Sequence, residues 1–559
     1  MEQRLRLVLF FFLICFFSVF VKLFFWQIVE GKRLSGLALQ QYYTKLEIPA
    51  ERGKIFANDN TPLVINQNSY LLYLNPRQIE LSFTELKEKL KDAVSLPEVD
   101  LQNLSKKRVV WYPLAKNLEE ESKNKIEVLA IKGLGFEESE KRFYPEASMS
   151  AHLLGFVGED SEGMRKGYFG LEGFYENELR GKSGSRYFEQ DAMGRPIPLV
   201  EETKEKTLPG RNLFLNIDRK IQFLAEKHLK EGIKKYGAIS GSVLVMDPES
   251  GAVLAMATFP SYDPSEYYKF NQDIFNNSVI SSVFEPGSIF KVAVMASGLD
   301  SGKVKVNDIC TNCSEPRKIY EYSIKTWNDK YYPNSTMTDI IVHSDNVGMV
   351  YVAEKMGLDK FLDYLKRFGF YEATGIDLQG EMVPVIRERK NWAEVDLATA
   401  SFGQGIALTQ IQFLNAVNAI ANGGKLYQPQ VVKKIFEEDK SIVIEPVLKA
   451  RPISEKTAKE VTKMMVEAVE KGEAKWAKPE GYKIAGKTGT AQIPIKGHYD
   501  PEKTITSFVG FAPADNPKFS MLLTLREPKT SPWGSETAAP LWFEIAKDIF
   551  RVWQIKTDD

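Results

Sequence analysis

Phe284-Glu285-Pro286-Gly287-Ser288-Ile289-Phe290-Lys291, continued by Val292-Ala293-Val294-Met295-Ala296, is the stretch on which the chain turns. Pro286 and Gly287 interrupt whatever precedes them, and the apolar run after Ser288 has the length and content of a buried helix. Ser288 therefore falls in a first helical turn, with Lys291 three positions on. Side chains at i and i+3 are neighbours on a helix, so an amine comes within reach of a hydroxyl. A serine hydroxyl alone is a weak nucleophile. A lysine can serve as its base when burial, a second cation and the positive helix N-terminus lower the amine's pKa.

The Ser-x-x-Lys pattern recurs by chance. Ser122-Lys123-Asn124-Lys125 repeats it and even holds a Ser-x-Asn, and Lys182-Ser183-Gly184 imitates a Lys-Thr-Gly, both in polar, charged surroundings. What separates Ser288 from them is order and setting. Ser344-Asp345-Asn346 follows it at the junction of two helical stretches, Asp339 to His343 and Val347 to Lys355, and Lys487-Thr488-Gly489 follows within a strand running from Tyr482 to Gln492. Singly, each motif has a plain structural reading: a helix cap with a surface lysine, a second cap, a strand edge. Their joint occurrence in this order points to chemistry. His343 is adjacent to Ser344, yet one histidine beside a serine is more often structural, and the chain has no Gly-x-Ser-x-Gly elbow.

At 559 residues the chain has room for two to four domains, and 43% hydrophobic with 26% charged residues is ordinary globular composition. Lys+Arg 73 against Asp+Glu 74 leaves a formal charge of -1, which excludes the basic footprint of a nucleic-acid binder. The N-terminus departs from globular composition. Arg4 and Arg6 precede an apolar run from Leu7 to Val29, broken by Ser18 and Lys22, long enough for a bilayer that needs about 20 residues. Lys22 can snorkel and Trp26 can anchor at the far interface. A cleaved signal peptide is the competing reading, but no small-x-small site follows. An uncleaved anchor with Arg4 and Arg6 inside leaves everything after Val29 outside the cytoplasm.

Of the three cysteines, Cys15 lies in the span, while Cys310 and Cys313 would meet an oxidising space, where a local disulfide is favoured over a free pair. A zinc site is short of ligands, and no metal or cofactor is expected. Downstream of residue 30 a β-rich region holds the strands Leu63 to Ile65 and Tyr70 to Leu74 and charged helices over 85–94 and 119–129. Segments 142–145, 152–158 and 170–179 look structural, since no nucleophile with a base occurs there. Pro209-Gly210 marks a boundary, followed by an amphipathic helix from Ile217 to Tyr236, a hairpin over 241–256, strands over 506–512 and 519–525, and a closing helix from Trp542 to Trp553.

Together, Ser288-x-x-Lys291, Ser344-Asp345-Asn346 and Lys487-Thr488-Gly489 resemble the signature of penicillin-binding proteins and serine β-lactamases. Arg52-Gly53-Lys54-Ile55 and Gly170-Leu171-Glu172 are similar to the pedestal of class B, monofunctional penicillin-binding proteins, so the resemblance covers nearly the whole chain. Phe284 to Gly287, Asp345-Asn346-Val347-Gly348 and Ser401-Phe402-Gly403-Gln404-Gly405 look more like the division type than the elongation type. The resemblance implies an α/β (α+β) fold: residues 1–29 a cytoplasmic tip and membrane anchor, 30–209 an elongated pedestal, and 210–559 a transpeptidase domain whose five-stranded antiparallel sheet is covered by helices. It implies a bacterial inner-membrane, single-pass protein. The expected activity is a peptidoglycan D,D-transpeptidase acting in septal wall synthesis, with an elongation or sporulation role as the alternative.

In that scheme Ser288 attacks the D-Ala-D-Ala carbonyl of a stem peptide, Lys291 takes its proton, and Ser344 relays it to the departing D-alanine. Asn346 orients Lys291 and holds the peptide. Asp345 has no assigned role. Lys487 adds positive charge near the substrate carboxylate, Thr488 and Thr490 offer it hydroxyls, and Gly489 leaves room for the substrate beside the strand. The backbone N–H groups of Ser288 and Thr490 form the oxyanion hole by the same resemblance. Expected partners are stem peptides, β-lactams, the membrane, divisome proteins and a SEDS-type glycosyltransferase, since residues 30–210 lack a Glu-Asp-x-x-Phe-x-x-His-like signature. A β-lactamase would be shorter and lack anchor and pedestal, and a penicillin sensor would need a segment such as His-Glu-x-x-His. A scaffold with a retired site is opposed by the intact motifs.

Overall fold

The computed structural model describes residues 1–96, 98–106, 111–161, 163–189, 203–437, 440–495 and 498–557. They form two compact units: Met1–Arg52 with Arg180–Gly210, and Gly53–Leu179 with Arg211–Asp559.

In the first unit a helix Glu2–Phe24 continues through a π turn, Phe25–Val29, and none of its residues is buried. The 28 residues Glu2–Val29 are long and apolar enough to cross a membrane. A helix apolar all round and covered by nothing suits lipid rather than a soluble surface. Beyond it lie a helix Gly31–Tyr42 and a small antiparallel sheet in which Tyr43–Ile48 pairs with Gly184–Glu189, and that strand with Thr203–Glu205.

The second unit begins with a sheet that joins segments far apart in sequence, in the strand order Lys440–Val443, Val432–Glu437, Asn212–Leu215, Ile55–Phe56, Pro62–Leu74, Tyr112–Leu118, with Leu134–Phe143 also on Pro62–Leu74. The two strands expected around residues 63–74 are one 13-residue strand. The segments read as structural are so: Glu172 and Arg142 form a buried ion pair at 2.7 Å, and Arg142 also donates to Asn66 Oδ1 at 2.7 Å. Removing one partner of such a pair strands a buried charge, which is why both belong to the framework.

The catalytic-type core contains a helix α1 (Arg219–Tyr236), strands β1 (Ser240–Met246) and β2 (Val253–Phe259), and helices α2 (Lys291–Asp300), α3 (Met337–Val342), α4 (Asn346–Met356), α5 (Gln410–Ala421) and α6 (Glu455–Lys471). Strands β3 (Ala485–Ile495), β4 (His498–Ala512) and β5 (Phe519–Arg526) and a helix α7 (Ala538–Val552) complete it. The sheet is five-stranded, in the order β2-β1-β5-β4-β3, and antiparallel at every pairing, as expected. Residue alternation explains the layering. Val243 and Val245 face a cluster with Ile221, Leu229 and Trp542 from α1 and α7. Leu244 and Met246 face the opposite cluster with Phe413 and Leu414 of α5 and Val292 of α2. The run from Lys291 to Leu299 is buried throughout, so the helix that carries the motif sits under the sheet rather than on the surface. Cys310 and Cys313 form a disulfide.

Candidate active site

Gly287–Phe290 is a 3₁₀ turn that runs directly into α2. Gly287 has φ 57°, a region glycine reaches at no cost, and its N–H donates to Gly403 O at 3.0 Å. A Cβ on Gly403 would collide with the Gly287 backbone, so the Ser401 to Gly405 loop can approach only because that residue is glycine. On the other side, β3 packs against the same turn: a Cβ on Gly489 would run into Ser507 Oγ and lie 2.9 Å from Ile289. The side chain that Gly489 lacks thus makes way for neighbours beneath the nucleophile turn. Ser288 is half-buried, held between the two glycine contacts.

Ser344 owes its place to a helix ending. The N–H of Asp345 donates to Ile340 O at 2.9 Å and that of Ser344 to Ile341 O at 3.3 Å, the hydrogen-bond pair of a Schellman turn at the end of α3. The left-handed position of such a turn usually holds glycine, yet here Ser344 adopts φ 53°. Strain of this kind persists at sites that need a particular side chain in a particular place. Asp345 then caps α4, its Oδ1 accepting from Val347 N at 2.8 Å and Gly348 N at 3.2 Å. That gives the middle residue of the motif a role: it starts the helix that carries Asn346. Asp345→Ala is expected to destabilise by about 1 kcal/mol, the usual value of an N-cap, seen as a lowered Tm of the full-length protein in detergent.

Lys291 is fully buried, and its Nζ donates to Ser344 O at 2.7 Å and Asn346 Oδ1 at 2.7 Å, with Ser344 Oγ at 3.3 Å. Asn346 is itself fixed by Nδ2 donating to Lys325 O at 2.9 Å. Burial first, then the charge of Lys487, holds the Lys291 amine well below the usual lysine range, against the pull of Asp345 and Glu473. A neutral amine has two N–H groups and one lone pair. The carbonyl of Ser344 and the amide oxygen of Asn346 accept only, so they take the two N–H groups. The lone pair is left for a group that can donate, and Ser344 Oγ is the donor already beside it.

Lys487 is buried too, pushed down to about 8 by desolvation, with Glu473 opposing. Its Nζ donates to Thr488 Oγ1 at 3.2 Å and Thr488 O at 3.3 Å. Thr490 Oγ1 accepts from Gly534 N at 3.0 Å, and among the described residues its O–H meets no acceptor, which leaves it for a ligand. Lys291, Ser344 and Asn346 are therefore in direct contact, Lys487 lies near enough to depress Lys291, and Thr488 to Thr490 line the adjacent strand. The arrangement presents a hydroxyl beside a neutral amine, with a second cation and threonine hydroxyls along one edge, which suits acyl transfer from a carboxylate-bearing substrate.

His343 stacks on Tyr332, ring centroids 4.0 Å apart and 5° from parallel, and its carbonyl accepts from Trp327 Nε1 at 3.4 Å. Its ring is committed to packing. The decoy Ser122 lies on the helix Glu120–Val128, where Lys125 pairs with Glu121 at 2.7 Å. Sequence reasoning missed the walls. Trp327 and Trp533, both exposed, meet edge-on with centroids 5.1 Å apart, one beside the Ser-Asp-Asn turn and the other beside Gly534. An aromatic with no apolar periodicity around it gives no signal in one sequence. Glu285, within the first motif, carries no sequence signal of a role.

These features define a serine acyltransferase core on a pedestal, and the chain matches that class throughout. Residues 241–551 match the penicillin binding protein transpeptidase domain, and residues 47–215 the penicillin-binding protein dimerisation domain. The protein belongs to the penicillin-binding protein transpeptidase family. Among individual proteins it is similar to Stage V sporulation protein D of Bacillus subtilis (strain 168), 32% identical over 557 residues, covering 98% of this chain and 85% of that protein. It is similar as well to peptidoglycan D,D-transpeptidase FtsI of Escherichia coli (strain K12), 29% identical over 522 residues, covering 92% and 85%. Its fold is similar to a peptidoglycan synthetase from Bifidobacterium adolescentis, with TM-score 0.73, 25% identity and coverage of 92% of this chain and 98% of that one. Penicillin Binding Protein 2X from Streptococcus thermophilus shares the fold with TM-score 0.74 at 24% identity, covering 92% and 81%. The pedestal, the sheet and the apolar N-terminal helix expected of a class B protein are all present.

Proposed function

We propose that this protein is a peptidoglycan D,D-transpeptidase working through a Ser288 acyl-enzyme. The observation that carries the proposal is the buried Lys291 amine, held at 2.7 Å by both Ser344 O and Asn346 Oδ1, three positions after Ser288. Ser288 Oγ bonds to the penultimate D-Ala carbonyl as Lys291 accepts its proton. Ser344 relays the proton to the nitrogen of the terminal D-alanine as the C–N bond breaks. Asn346 keeps Lys291 aimed and holds the donor peptide, Lys487, Thr488 and Thr490 receive its carboxylate, and Gly489 keeps β3 seated against the turn. The N–H groups of Ser288 and Thr490 stabilise the oxyanion. The amine of a second stem peptide then attacks the ester carbonyl, and as the C–O bond to Ser288 breaks the amine's proton passes through Lys291 to Ser288 Oγ, forming the crosslink and restoring the hydroxyl and the neutral amine.

Residues 1–29 anchor the chain, 30–209 form the pedestal and 210–559 the transpeptidase domain, with everything after Val29 outside the cytoplasm. β-Lactams act as D-Ala-D-Ala mimics, and a membrane-embedded glycosyltransferase of the SEDS type supplies the glycan. The work belongs to septal wall synthesis with divisome proteins. A sporulation role is the second reading, favoured by the likeness to Stage V sporulation protein D across 98% of the chain. The activity is tested by incubating full-length protein in detergent with a peptide ending in D-Ala-D-Ala and a labelled amine acceptor. Release of D-alanine with acceptor in the product is expected. Covalent capture of penicillin without any D-alanine release would replace the enzyme with a sensor or scaffold.

A further inference from the structure

Three residues before Ser288, Glu285 is more than half buried at a junction of three segments. Its Oε1 accepts from Gly405 N at 3.1 Å, and its Oε2 from the Tyr499 hydroxyl at 3.0 Å. Gly405 ends the Ser401 to Gly405 loop, which at Gly403 accepts the N–H of Gly287 at 3.0 Å. The two residues that flank Pro286 are thus pinned to one loop by bonds of opposite polarity, a side-chain acceptor on one side and a backbone donor on the other. Tyr499 comes from elsewhere, near the tip of the β3–β4 hairpin. There the register shifts between Gln492 and Ile493, and Ile493 pairs with Asp500. Bulges of this kind re-aim a strand end, and here the re-aimed end reaches the nucleophile turn. Arg387 also faces the carboxylate, though its guanidinium is tied to Asp396 at 2.6 Å. Burial pushes the Glu285 carboxyl up, while Tyr499, the Gly405 N–H and Arg387 pull it down.

We infer that Glu285 is a positioning residue for Ser288, which locks the nucleophile turn to the Ser401 to Gly405 loop and, through Tyr499, to the hairpin tip. Its carboxylate is hydrogen-bonded to Gly405 and Tyr499 rather than to Ser288, Lys291 or Ser344. It sets the direction in which the Ser288 hydroxyl leaves the turn, because from Glu285 to Phe290 no other side chain is hydrogen-bonded among the described residues, and the next tether is Lys291 itself. Hydrogen bonds to a charged group are about twice as strong as neutral ones, enough to change occupancy of a reactive geometry severalfold.

The inference rests on the acyl-enzyme reading and is tested by saturation kinetics of acylation with fluorescent penicillin, using full-length protein in detergent. Tyr499→Phe, an exposed position that leaves the fold intact, is expected to lower the limiting acylation rate roughly fivefold, a part of one charged hydrogen bond, and Glu285→Gln roughly tenfold or more. The half-saturating concentration and Tm stay unchanged, a split that a merely structural role would not give. The double variant should be no slower than Glu285→Gln alone, because both act through one link. Wild-type limiting rates in both single variants, or rate losses that follow Tm, overturn the inference while leaving Ser288 labelling intact. Absence of labelling in the wild type itself would instead reject the acyl-enzyme reading.

Discussion

Ser288→Ala is expected to abolish covalent capture of penicillin and to cut D-alanine release from a D-Ala-D-Ala peptide to background, while Ser122→Ala behaves as wild type. The size of the effect follows from what replaces the hydroxyl. The other candidates among the described residues of the cleft are held elsewhere: His343 is stacked on Tyr332, Ser344 is fixed in a strained turn as the relay on Lys291, and Thr490 accepts from Gly534 N. Losing a serine nucleophile costs on the order of 10⁶ in rate in a well-studied protease, and the same scale applies here. Ser122 repeats the spacing without the setting. It sits on a charged pedestal helix whose Lys125 is an exposed cation paired with Glu121. Intact-mass measurement after incubation with penicillin distinguishes the two variants directly.

Lys291→Met is expected to approach the same loss, on the order of 10³ to 10⁴ in acylation rate. General-base assistance alone contributes roughly 10² to 10⁴, and removing the amine also leaves Ser344 O and Asn346 Oδ1 without their buried donor, so the turn that holds Ser344 relaxes. The wild-type pH profile follows from the two lysines. Lys291 must be neutral to act, and its depressed pKa keeps it so at neutral pH, hence acylation falls as the medium is acidified through that depressed value. Lys487 must be charged to receive a carboxylate, and it loses its proton at about 8, hence acylation also falls above that pH. The curve is a bell whose alkaline limb lies near 8. The charge of Lys487 helps to depress Lys291, so the acid limb depends on both amines. In Lys487→Ala the alkaline limb should vanish.

The motif order made the site legible because each motif occupies a place where sequence and geometry agree. Pro286-Gly287 does precede a helical turn, the run after Ser288 is buried, and the strand of Lys487 to Gly489 lies beside it. The hairpin over 241–256 and the strands over 482–492, 506–512 and 519–525 are legible as apolar runs between turns, whereas their union in one five-stranded sheet follows from the family resemblance. Other elements were not legible. Helices Gln410–Ala421 and Glu455–Lys471 went unread, the first because it is buried on all sides and shows no periodicity, the second because its apolar stripe is spread among charges. The sheet that joins Ile55–Phe56 to Asn212–Leu215 and Val432–Glu437 pairs strands hundreds of residues apart, and short segments carry no record of such partners. Asp345 has no role in the sequence reading because an N-cap is recognised by where a helix starts, and the helix begins at Asn346, one residue before the Val347 that its apolar run suggests. Gly489 was given room for a ligand, whereas its neighbours Ser507 and Ile289 come from elements that only the fold brings near.

The account depends on an amine, rather than an imidazole, making Ser288 reactive. The most direct measurement is the acylation rate constant toward penicillin from pH 5 to 9 in wild type, His343→Gln and Lys291→Met. The account predicts that His343→Gln keeps the wild-type bell and its magnitude while Lys291→Met is slower by at least two orders of magnitude at every pH. An unchanged profile in Lys291→Met, or an acid limb that disappears with His343, would contradict it.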